Sequence, residues 1–167
     1  MRVYIPATLA MLQQLVADGS MQPLSGTAFA VTPTLRESYA EGDDEELAEV
    51  AIGEAALASL RLLAAESDNA DPQLPLRRAV VIADADATAR PDLDDAVVRV
   101  SGRVNLDQVV AAYVDNSAAE PAVKAAMAVI DDADLGDEDA ELTVGDAADH
   151  PLAWYGTQEL PFLLELL

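Results

Sequence analysis

Ala79-Val80-Val81-Ile82-Ala83, inside the segment Arg77 to Asp84, is the stretch on which the fold turns. An unbroken apolar run with β-branched residues and no polar alternation is what a central strand covered on both faces requires. Such a strand needs neighbours beside it and helices above and below it. The sequence on either side supplies both.

Upstream, Arg2 to Ala7 carries Val3, Tyr4 and Ile5 and reads as a short strand stopping near Pro6. Thr8 stands where an N-cap belongs, Leu9, Leu12, Leu15 and Val16 recur at helical spacing, and Gly19 offers a stop. Thr27 to Thr32 is a second strand ended by Pro33, and Thr34 to Ala40 reads as a short helix. Asp43, Asp44, Glu45 and Glu46 then favour the positive end of a helix dipole, opening a long helix to about Ala65. Leu47, Val50, Leu57, Leu60 and Leu63 make it the main core helix. Ser67 to Pro75 has the composition of a loop.

Downstream, Ala96 to Gly102 reads as a strand, Asn105 as the cap of a short helix through Leu106 and Val109, and Ala111 to Asp115 as another strand. Glu120 to Ile130 is a helix with Pro121 at its permitted first position, and Leu152 to Tyr155 is the last strand. Thr8-Leu9 with Leu12 is echoed by Asn105-Leu106 with Val109, and the Ala-rich run 55–60 by 125–130. The expectation is an α+β fold, or loosely α/β, with a mixed sheet of about five or six strands and helices packed on it. It is taken as one globular domain over residues 1–167, with pseudo-repeated half-units 1–86 and 95–167.

Thirty-one acidic residues stand against nine basic ones, a formal charge of −22, in a chain that is 51% hydrophobic. Disordered acidic tails are poor in apolar residues, so this combination describes a folded core inside an anionic surface. That surface repels phosphate backbones and anionic lipid headgroups, which argues against nucleic-acid and membrane partners. With no cysteine, disulfides, thiolate zinc sites and thiol catalysis are excluded. Met1 to Pro6 enters a strand directly, without an apolar leader, and no apolar stretch approaches a membrane span, so the expected location is the cytoplasm.

Three stretches carry a family likeness: Met-Arg-Val-Tyr-Ile-Pro-Ala-Thr at 1–8, Arg-Pro-Asp-Leu-Asp-Asp-Ala-Val-Val at 90–98, and Leu-Ala-Trp-Tyr-Gly-Thr-Gln-Glu-Leu-Pro at 152–161. Together they resemble an uncharacterised family of short acidic proteins from actinobacteria. The resemblance implies a free-standing cytoplasmic domain and brings no reaction, cofactor or site residue with it.

The sharpest chemical motif is Asp84-x-Asp86-x-Thr88 at the end of the apolar run. It resembles the first motif of the haloacid-dehalogenase phosphatases, which implies Asp84 as nucleophile, Asp86 as proton donor, and both near magnesium. Asp146 and Asp149 would complete the metal site. Several features depart from the pattern. Ala87 stands where glycine is usual, and Ser101 follows Asp84 by only 17 positions, too few for the crossover helix of a parallel neighbour.

Asp131 to Asp149 holds nine carboxylates but fails as a calcium loop: counted from Asp137, Leu142 replaces the glycine and Ala148 the closing glutamate. It is expected to be a solvated, partly mobile acidic loop. His150, the only histidine, reads as a turn residue hydrogen-bonded to backbone, and no phosphate-cradling glycine motif occurs. No cofactor is expected.

Large apolar groups gather at the C-terminus, among them Trp154, Tyr155, Leu160, Phe162, Leu163, Leu166 and Leu167. They are expected to dock on the folded body as its last core element, with Trp154, Tyr155, Phe162 and Leu163 the candidates for an interface should they face a second chain. The function expected from sequence is that of a non-catalytic cytoplasmic interaction or regulatory protein, with a basic protein or a second copy as partner. The alternative is a magnesium-dependent phosphatase-like hydrolase using Asp84 and Asp86.

Overall fold

Strand and helix signals become elements in the order β1 (Arg2–Ala7), α1 (Leu9–Asp18), β2 (Ser20–Met21), β3 (Thr27–Phe29), α2 (Pro33–Ser38), α3 (Asp44–Glu66) and β4 (Ala79–Asp84). There follow β5 (Ala87–Ala89), β6 (Val97–Val100), β7 (Val104–Asn105), β8 (Val109–Asp115), α4 (Glu120–Asp134), α5 (Glu138–Ala148), β9 (Leu152–Gly156) and α6 (Leu160–Glu165). They are seen in a computed structural model that describes residues 1–39, 41–66 and 74–167.

The apolar run is the middle of the sheet. Seven strands pair in the order β5-β6-β3-β1-β4-β8-β9, and β2 pairs separately with β7. β4 is hydrogen-bonded to β1 from Arg2↔Asp84 to Ala7↔Ala79, and to β8 from Ala79↔Val114 to Ala83↔Val109. All of Ala79 to Ala83 are buried, as a strand covered on both faces must be. The class is α+β, as the sequence implies. The sheet has seven strands rather than five or six, and each of its pairings is antiparallel. The strands that sequence patterning missed, β2, β5 and β7, are two or three residues long, too short to display a period.

Alternation along the strands divides the core. Val3, Ile5, Val81 and Ala83 face α1 and α6, where Leu12, Leu15, Leu160 and Leu163 close the layer. Tyr4, Val80, Ile82 and Ala111 face the other way, onto Leu47, Ala51 and Ala55 of α3 and Leu35 of α2. A third cluster joins Leu60 and Leu63 of α3 to Val123, Ala126 and Ile130 of α4 and Ala147 of α5. The buried Ser59 hydroxyl fixes α3 on the sheet, donating to the Ala7 carbonyl at 2.7 Å and accepting from the Ala79 amide at 3.0 Å. Thr8 caps α1 by accepting from the Met11 amide, and Gly19 ends the helix in the left-handed region at φ +76°.

Two segments differ from expectation. Asn105 to Val109 makes a single 3-10 turn at Leu106–Gln108, held by the Asn105 amide donating to Gln108 Oε1 at 2.8 Å, and β8 starts at Val109 itself. The acidic stretch after Ile130 is not a loop: α4 runs to Asp134, Gly136 turns the chain at φ +96°, and α5 follows. Asp137 caps α5 through the Ala140 amide, Glu138, Asp139 and Glu141 complement its dipole, and Ala140 and Ala147 bury one narrow face. A stripe so thin is invisible among so many carboxylates. The loop expected over Ser67 to Pro75 lies outside the described residues as far as 73. The half-units 1–86 and 95–167 share one sheet, with β6 beyond β3 on one side of the central pair and β8 and β9 on the other.

Candidate functional site

Where β4 begins, the backbone and side chain of Arg78 are tied down together. Its amide and Nε each donate to Asp115 Oδ2 at 2.8 Å, and Nη2 donates to Asp115 Oδ1 at 2.7 Å and to the His150 carbonyl at 2.9 Å. The Asp115 amide returns a bond to the Arg78 carbonyl at 3.1 Å. Both side chains are buried. A planar guanidinium meeting a carboxylate edge to edge neutralises both charges and fixes direction, so this node aligns β4, β8 and the turn from α5 into β9.

Beside the node, α3 and α5 stand apart and border an open cavity of about 700 Å³. Ile52, Ala56, Leu57 and Leu60 line it from α3, Val144, Ala147 and Ala148 from α5, and Tyr113 and Leu152 from the sheet. Its polar fringe is Glu49, Glu141, His150 and Arg78. Glu49 and Glu141 are exposed, whereas Tyr113 and His150 are half-buried. Neither the Tyr113 hydroxyl nor the His150 ring has a hydrogen-bond partner among the described residues.

Each helical wall also carries a glycine, Gly53 in the middle of α3 and Gly145 near the end of α5. Glycine within a helix costs about 0.5–1 kcal/mol relative to alanine. At both positions an added Cβ would meet nothing within 4 Å apart from its own helix backbone. No close packing inside the described protein calls for either glycine.

The aspartates singled out by sequence do not converge. Both oxygens of Asp84 are held by Arg2, whose Nε and Nη2 donate at 3.0 and 3.1 Å across β1 and β4. That pairing lowers the Asp84 carboxyl below its ordinary pKa. Asp86 is exposed in the following turn. Asp146 and Asp149 lie at the end of α5, next to His150 and hence to the Arg78 end of β4. Six residues of strand at about 3.3 Å each put Asp84 roughly 20 Å from that end. Both neighbours of β4 are antiparallel, where the phosphatase likeness implies a parallel one. Among the described residues no three or more His, Asp or Glu side chains group so as to hold a metal ion.

The C-terminal apolar residues separate by face. Leu160 and Leu163 are buried, and Tyr155 packs against the same cluster on the α1 side of the sheet. Trp154 alternates to the α3 side of the outermost strand β9 and is 55% exposed, while Phe162 on α6 is 67% exposed. Docking of the tail holds for α6 and not for Trp154. The two exposed aromatics lie on opposite sides of the sheet and form no common patch.

A second, small recess of about 80 Å³ places Glu54 of α3 beside Asp94 and Asp95. Burial, with Asp94 adding like-charge repulsion, raises the Glu54 carboxyl above its ordinary pKa. Sequence reasoning missed Arg78, Asp115, Tyr113 and the two helical glycines. One signal was present: in a chain with nine basic residues, Arg77-Arg78 stands directly before the most apolar run.

No curated protein and no solved structure matches the chain. The profile of a family of unknown function (DUF6912) matches residues 1–164, and the chain belongs to that family.

Proposed function

We propose that this member of the family is a non-catalytic interaction or regulatory protein of the cytoplasm, a single globular unit whose anionic surface steers it toward a basic protein partner. The observation that carries the reading is the uncompensated charge. Among the described residues, six arginines pair with carboxylates, and only the Arg78–Asp115 pair is fully buried. Arg99 and Arg103 bond instead to Ser25 and Ser20. Most carboxylates therefore face water without a counter-ion from the protein, at a net charge of −22.

A field of that sign accelerates encounter with cationic surfaces and repels phosphate backbones. Nucleic acid and anionic lipid are accordingly outside the reading. No helix among the described residues is long and apolar enough to cross a membrane. Trp154, Phe162 and Tyr39 are exposed aromatic contacts among the described residues, and Tyr155 and Leu163 pack on the α1 side of the sheet that carries Phe162. Self-association is disfavoured by the repulsion between two like-charged copies.

Affinity capture with the full chain at about 50 mM and about 500 mM salt tests the reading. Basic proteins retained at the lower salt and released at the higher one are expected. Capture of acidic proteins, or of nucleic acid, would contradict it.

A further inference from the structure

The cavity between α3 and α5 has its own chemistry, independent of any protein partner. Its size of about 700 Å³ falls within the range that holds small organic ligands, and its walls are largely apolar with a few polar groups at the edge. We propose that it binds a small organic cation with an apolar body, the charged end seated between Glu49 and Glu141.

Charge selects the cation. The one arginine in the cavity, Arg78, already has its charge balanced by Asp115, so no guanidinium is left to receive an anion. Glu49 on α3 and Glu141 on α5 are exposed at the margin, and neither forms an ion pair among the described residues. A molecule with an amine at one end therefore gains two carboxylates, whereas a carboxylate ligand meets repulsion from both and from the protein's field.

The apolar body follows from the walls. Ile52, Leu57, Leu60 and Val144 leave an interior in which a fully hydrated ion gains nothing. Gly53 and Gly145 line the same space. They open the cavity from both helices at positions where a side chain would clash with nothing, which keeps room for atoms brought from outside. The Tyr113 hydroxyl supplies a further hydrogen-bonding group for a polar substituent on such a body.

Three near-isosteric probes separate these terms: 2-phenylethylamine, 2-phenylethanol and 3-phenylpropionate, titrated into the ¹⁵N-labelled full chain at about 50 mM salt. The amine is expected to shift amides of α3, α5 and Tyr113, binding about two- to fivefold tighter than the alcohol, with the carboxylate weakest. Glu49→Gln with Glu141→Gln should remove most of the amine's advantage over the alcohol and leave the alcohol unchanged. Gly53→Leu and Gly145→Leu should weaken all binding by about tenfold or more while the melting temperature holds or rises.

Carboxylate binding equal to that of the amine, or shifts scattered over carboxylates away from the cavity, would overturn the proposal. So would leucine variants that fold and bind the amine as before. Should a leucine variant fail to fold, the glutamine pair and the three probes decide. A lysine-containing apolar peptide that competes for the same amides and binds tighter than the amine would make the cavity a protein groove, and the small-cation assignment would be wrong. Loss of salt-sensitive protein capture leaves these titrations untouched, so the two readings fail separately.

Discussion

Arg78 and Asp115 hold each other by side chain and backbone at once: two guanidinium bonds of 2.7 and 2.8 Å, one amide-to-carboxylate bond of 2.8 Å, and one amide-to-carbonyl bond of 3.1 Å. The pair sits where the central strand begins and where the turn after α5 meets the sheet. Removing one partner leaves a buried charge without its counter-ion, which costs about 3–5 kcal/mol. Asp115→Asn or Arg78→Met should lower the melting temperature by roughly 6–20 °C. The double variant Arg78→Met with Asp115→Leu should recover a large part of that loss, because no lone charge remains. Single variants that melt within about 2 °C of the parent would show that the pair is not a structural node.

Glu54 gives a pH signature of defined sign. Its folded-state carboxyl is raised by burial first and by Asp94 second, so the native protein holds this proton more tightly than the unfolded chain does. Ionisation therefore costs stability above the folded pKa, and the cost disappears as pH falls through that value. Glu54→Gln should stabilise the protein at neutral pH by at most about 1 kcal/mol, roughly 2–4 °C, with the gain shrinking toward about pH 4. Thermal melts of both proteins across that range check it. A gain that grows on acidification contradicts the assignment.

The last helix separates residues that anchor from residues that face water. Leu160 and Leu163 are buried against the α1 layer, and each mutation to alanine should cost about 2–5 kcal/mol. Phe162→Ser and Leu166→Ser, at exposed positions, should stay within about 0.5 kcal/mol. Denaturant titration resolves the difference. Equal losses at all four positions would place α6 in a different packing.

Self-repulsion among the carboxylates predicts that the melting temperature rises from about 10 mM to about 200 mM salt, as screening shortens the range of the field. A flat or falling curve would mean that the carboxylates are already compensated locally.

The central architecture was legible because burial writes itself into composition. Ala79 to Ala83 announced a strand covered on both faces, and Thr8, Gly19, Pro121 and the acidic start of α3 marked real helix ends or first turns. α5 escaped because only Ala140 and Ala147 bury its narrow face, while its acidic first turn, which suits a helix N-terminus, resembles a solvated loop. The cavity was invisible for a different reason. Its walls come from α3, α5, β8 and the start of β9, so no local period records it, and glycine in a helix reads as a weak helix before it reads as space. Asp84 drew attention as chemistry because its cross-strand partner Arg2 lies 82 positions away.

The most direct test of the proposed function is the association rate with a captured protein partner, followed by stopped flow across ionic strength. The account predicts a basic partner whose association slows by at least about tenfold between about 50 mM and about 500 mM salt, with dissociation changing far less. An association rate that stays flat over that range would contradict electrostatic steering by the anionic surface and, with it, the central claim.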